Sequence, residues 1–126
     1  MSDDKVSNGA RILLVEDSPV VSLNTEDALR DHGYFVVGPA YDMAAALDLS
    51  NREQIDAAIV DLNIRGEKCF QVLEILEKRD VPFILTSGYA DWTMPEQWIE
   101  RPRLQKPFEQ EALLKKLEKM IRQKAG

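Results

Sequence analysis

The run Ala57-Ala58-Ile59-Val60 stops abruptly at Asp61, and variants of this pattern recur along the chain. A short apolar run bounded by polar residues reads as a parallel strand buried on both faces. Ile12-Leu13-Leu14-Val15 ends the same way, in Glu16-Asp17, and Phe83-Ile84-Leu85 ends in Thr86. A further stretch, Leu104-Gln105, ends in Lys106-Pro107-Phe108. Open α/β folds place their sites at the carboxyl edge of the sheet. The four strand ends thus offer three carboxylates, one hydroxyl and one lysine. That set suits a divalent cation together with a phosphoryl group.

The segments between the runs read as helices and one further strand. Strand one is Arg11 to Val15. Ser18 is placed to cap a helix that Pro19 opens, with Val21, Thr25, Ala28 and Leu29 on its inner face and Gly33 at its end. A second strand, Phe35 to Val37, is expected to stop at Gly38-Pro39. A helix follows from about Asp42 to Ser50, then the strand Ala57 to Val60. Cys69, Val72, Leu73 and Leu76 follow helical spacing, and so does the stripe Leu113, Leu114, Leu117, Met120 and Ile121. Strand four is Phe83 to Leu85 and strand five lies near Arg103 to Gln105. Between them, Gly88, Pro95 and Pro102 suit a three-turn helix poorly, and Pro95 can start one short turn over Glu96 to Ile99. Alternating strands and helices imply a parallel sheet covered on both faces. Five strands suggest the flavodoxin-like (βα)5 arrangement, order 2-1-3-4-5, with a short or irregular fourth helix.

At 126 residues the chain fits one domain, expected over 11–124, behind a flexible tail over 1–10. A core of that size needs no disulfide, and the single cysteine, Cys69, reads as a small buried hydrophobe. The absence of a long apolar run argues against a membrane span, and the polar start lacks a signal peptide's apolar stretch, so cytoplasmic residence is expected. A net charge of −6 argues against direct nucleic-acid binding. Eight of the 16 Lys and Arg residues lie between Arg101 and Lys124, which reads as a solvated helix face or a surface for a protein partner. His32, the sole histidine, precedes Gly33 at a helix end and reads as a solvated terminus, not as a phosphohistidine carrier. Trp92 and Trp98 suit either packing or partner contact.

Three carboxylates at one edge repel each other and stay ionised only beside a counter-charge. Lys106 supplies one, and magnesium, which accepts a few carboxylates and retains water and phosphate oxygens, supplies another. Asp61 is the natural nucleophile toward phosphorus. Glu16 and Asp17 would hold the metal, Thr86 would hydrogen-bond a phosphoryl oxygen and Lys106 would neutralise another.

With Glu16-Asp17, Asp61, Thr86 and Lys106-Pro107 in that order on successive strand ends, the chain resembles the receiver domain of two-component response regulators. The likeness runs from about Arg11 to Arg122. It implies that Asp61 is the phosphoacceptor, charged by a histidine kinase or histidine phosphotransfer protein. It implies magnesium bound by Asp17 and Asp61, by Glu16 through water and by the backbone carbonyl of Asn63. Thr86 and Lys106 would sense the phosphoryl group, and Lys106-Pro107 commonly carries a cis peptide in this family. No enzyme activity is implied beyond self-catalysed phosphorylation and slow dephosphorylation. With Gly126 ending the last helix, a stand-alone receiver is expected, signalling to an unspecified protein. Two rivals are a phosphatase and a receiver that works unphosphorylated. Asn63 stands where such phosphatases often carry a second acid, and the complete acid set argues against the other. One departure is Arg103, where receivers usually carry Tyr or Phe three positions before the lysine.

Overall fold

The computed structural model describes residues 9–88 and 95–125. In chain order the elements are strand β1 (Arg11–Val15), helix α1 (Pro19–Asp31), β2 (Phe35–Ala40), α2 (Met43–Arg52), β3 (Ala57–Asp61), the short strands β4 (Asn63–Ile64) and β5 (Glu67–Lys68), α3 (Phe70–Lys78), β6 (Phe83–Ser87), a 3-10 turn (Glu96–Trp98), β7 (Arg103–Gln105) and α4 (Gln110–Ala125). Five strands pair in parallel in the order β2-β1-β3-β6-β7, the flavodoxin-like arrangement, and β4 pairs antiparallel with β5 as a separate hairpin.

The pleat sorts each strand onto two cores. Leu13, Val15, Ala58, Val60, Phe83 and Leu85 face α2 and α3, where Ala46, Val72, Leu73 and Leu76 meet them. Ile12, Leu14, Ala57, Ile59 and Ile84 face the other way, toward Leu29 of α1 and Leu113 and Leu117 of α4. Both faces of β1 and β3 are therefore dry, which is why their sequences run apolar without alternation. The caps form as their residue types dictate. Ser18 Oγ accepts from Val21 N at 3.4 Å, and Asp42 Oδ1 accepts from Ala45 N at 2.8 Å. Beyond α1, Gly33 turns the chain at φ +94° toward β2.

No α-helix lies between β6 and β7 among the described residues. The 3-10 turn stands there, and Trp98, 1% exposed, packs edge-on against Phe83 at 5.8 Å between ring centres. Arg101 lies over both rings, 4.9 Å from Phe83 and 5.6 Å from Trp98, and pairs with Glu77 of α3. Trp98 is thus a packing residue. Trp92 and the tail over residues 1–8 lie outside the described residues.

One boundary needs correction. Gly38-Pro39 does not stop β2, which continues to Ala40 with a register shift against β1 between Leu13 and Val15. β2 is an edge strand, where a missing proline N–H is tolerated. Gly38 sits at φ +102°, and a Cβ there would approach Leu14 O to 3.0 Å and Ala40 N to 2.9 Å. The Gly38-Pro39 and Lys106-Pro107 peptides are both cis. No helix of the described residues is long and apolar enough to cross a membrane.

Candidate functional site

β1, β3 and β6 end together, and their last residues converge. Glu16 follows β1 and its N–H bonds to Ala40 O at 3.0 Å, so the end of β2 holds it in place. Asp61 closes β3 directly opposite Thr86 of β6 in the parallel register. Lys106 follows β7 and is pinned through its own N–H to Ser87 O at 2.8 Å. The ammonium of Lys106 reaches across the sheet to both acids, 2.6 Å from Asp61 Oδ2 and 2.9 Å from Glu16 Oε1.

Glu16 and Asp61 are each 3% exposed, and Thr86 is 1% exposed. Burial pushes the Asp61 carboxyl up from 3.8 to about 6; Lys106 pulls it down, and the Glu16 charge adds to the rise. The Lys106 ammonium is itself held above its ordinary value, because its bonds to Asp61 and Glu16 together outweigh the burial that lowers it. One oxygen from each of Glu16, Asp17 and Asp61 can lie within 4.8 Å of the others. Three acids against one lysine leave excess negative charge, and a cluster of this kind could hold a divalent cation.

Backbone donors complete the arrangement. Ser18 N–H donates to Glu16 Oε2 at 3.0 Å, and Asn63 N–H donates to Asp61 Oδ1 at 3.2 Å. Arg65 N–H donates to Asp17 Oδ2 at 2.8 Å. This last residue, at the tip of the β4–β5 hairpin, is absent from the sequence reading. Its only sequence signal is Gly66 after it, because a backbone donor leaves no mark on residue type. The Asn63 side chain turns toward the hairpin, its Oδ1 accepting from Gly66 N–H at 2.9 Å.

Glu16, Asp17, Asp61 and Lys106 are therefore gathered, with Thr86 and Asn63 adjacent to Asp61. Cys69 and His32 are not among the gathered side chains. Cys69 is fully buried, and burial pushes its thiol up to about 12. His32 caps the end of α1 and stacks on Tyr34 with ring centres 5.4 Å apart. Arg103 is half-buried on β7.

Comparison with known proteins agrees with this architecture. Residues 12–118 match the model of the response regulator receiver domain. The transcriptional regulatory protein TctD of Salmonella typhimurium is 33% identical over 121 residues, covering 92% of this chain and 54% of TctD. The chain spans about half the length of such curated relatives, 43% in the case of PdtaR from Mycobacterium tuberculosis. Among solved structures, SdrG from Sphingomonas melonis Fr1 superposes with a TM-score of 0.77 at 39% identity, covering 86% of this chain and 93% of SdrG. The receiver domain of the sensor histidine kinase PA1611 from Pseudomonas aeruginosa PAO1, solved with magnesium coordinated in its active-site cleft, gives a TM-score of 0.77 at 28% identity, over 90% of this chain and 98% of that one.

Proposed function

The chain belongs to the response regulator receiver family, and from that premise we propose that it accepts a phosphoryl group on Asp61 from a phosphohistidine donor. A receiver is a signalling domain that works with histidine kinases or phosphotransfer proteins, and it is not a classical enzyme. The observation that carries the assignment is the Lys106 ammonium bridging Asp61 and Glu16 within a buried acidic cluster.

A carboxylate oxygen of Asp61 attacks phosphorus. The P–N bond to the donor imidazole breaks, its electron pair returns to the ring nitrogen, and an acyl phosphate forms. Lys106, with its ammonium 2.6 Å from Asp61 Oδ2, offsets charge on a phosphoryl oxygen. Thr86, opposite Asp61 in the sheet, offers a hydroxyl to another. Asp17, Asp61 and the Asn63 carbonyl would hold magnesium, with Glu16 acting through water. Bound there, the ion supplies positive charge to phosphoryl oxygens as transfer proceeds. The change at Asp61 and Thr86 then alters the neighbouring surface that a downstream protein reads.

Phosphotransfer from radiolabelled histidine kinases of the same genome tests this reading. Label is expected on the wild-type protein with magnesium, at a reduced level on Lys106→Ala and not on Asp61→Asn. Equal label on Asp61→Asn places the acceptor elsewhere.

A further inference from the structure

The β4–β5 hairpin carries more local constraint than a surface turn requires. Its two tip residues are Arg65 and Gly66, both left-handed at φ +52° and φ +86°. Gly66 adopts that region freely, whereas a long side chain on a left-handed residue costs free energy. Arg65 is nevertheless held there by two bonds of its own, and its neighbour by a third. Its N–H donates to Asp17 Oδ2 at 2.8 Å. Its Nε donates to Tyr41 O at 3.2 Å, on the loop between β2 and α2. Asn63 Oδ1 fixes the next residue by accepting from Gly66 N–H at 2.9 Å. Tyr41 is in turn placed by α1, where Ser22 Oγ donates to its hydroxyl at 3.4 Å.

We propose that Arg65 is a positioning residue for the metal ligand Asp17: the guanidinium tethers the hairpin tip to Tyr41 so that the Arg65 N–H holds one carboxylate oxygen and leaves the other turned to the ion. The inference rests on the magnesium assignment above and deepens it. Asp17 is only half-buried, and the Arg65 N–H donates directly to its carboxylate, so a backbone donor helps to orient it. Partners of metal ligands act in this manner, fixing orientation without touching the ion. Backbone strain retained at a site edge fits the same role. The chain segment after the phosphoacceptor thereby contributes to the site twice, through Asn63 and through Arg65.

The test uses the full chain and magnesium alone, with three proteins. Arg65→Asn keeps a residue that tolerates the left-handed turn but cannot reach Tyr41 O. Its magnesium dissociation constant is expected to rise by up to about tenfold, the low end for loss of a ligand's partner. Its metal-free unfolding midpoint should stay at the wild-type value. Asp17→Asn should lose magnesium binding. In wild type, the Arg65 amide proton resonance should move upfield on magnesium addition, as the ion draws charge from the shared carboxylate. A purely structural hairpin would not show that shift. Wild-type affinity in Arg65→Asn, with binding lost in Asp17→Asn, overturns the inference and leaves the metal site standing. Full affinity in Asp17→Asn, or no binding by wild type, overturns both.

Discussion

Burial and the Lys106 charge act on Asp61 in opposite directions, and burial wins. The carboxyl is pushed up from 3.8 to about 6 although Lys106 lies 2.6 Å away. The folded protein therefore binds this proton more tightly than the unfolded chain does. The resulting stability is present in full below about pH 3.8 and is lost as pH rises through about 6. In metal-free buffer, wild type should lose stability relative to Asp61→Asn between those limits. Urea unfolding of both proteins across that range measures the difference, and a constant difference would contradict the burial argument. Magnesium competes with the same proton, so its affinity should fall as pH drops below about 6. At this scale the gathering of these side chains was legible in the sequence, because Glu16, Asp17, Asp61, Thr86 and Lys106 each stand at the end of a readable strand. The Arg65 N–H was not legible, since any residue other than proline carries one.

Among the elements, β1, β3 and β6 follow from short apolar runs, β7 from its place before Lys106-Pro107, and α1 from Ser18-Pro19 at one end and Gly33 at the other. β2 was read too short because Gly38-Pro39 looks like a stop. Its continuation depends on tertiary context, namely an edge position and the pairing of Val15 with Ala40. The β4–β5 hairpin escaped notice because two-residue strands leave no periodicity to detect. Gly38 leaves no room for a side chain within β2. A Cβ there meets Ala40 N at 2.9 Å, and φ +102° lies in the region that L side chains rarely adopt. Gly38→Ala should destabilise the protein by about 1–3 kcal/mol, read from the denaturation midpoint. It should also loosen Glu16, whose N–H is bound to Ala40 O. An unchanged midpoint would show that β2 can relax away from β1 at low cost.

For the whole molecule, topology accounts for the site. Parallel strands with β3 at the centre and β1 and β6 beside it bring their carboxyl ends to one pole, and the acids go there with them. β7 at the edge carries Lys106 to the same pole from 45 residues beyond Asp61. The short turn after Pro95 was expected, and it stands at Glu96–Trp98, where Trp98 and Arg101 pack over Phe83 of β6. The proposed function requires this pole to take a phosphoryl group on Asp61 with magnesium present. Incubation with acetyl phosphate, followed by intact-mass measurement, tests it most directly. Wild type with magnesium should gain the mass of one phosphoryl group, while wild type in chelator and Asp61→Asn with magnesium should gain none. Full labelling of Asp61→Asn, or labelling of wild type that ignores chelator, would contradict the claim.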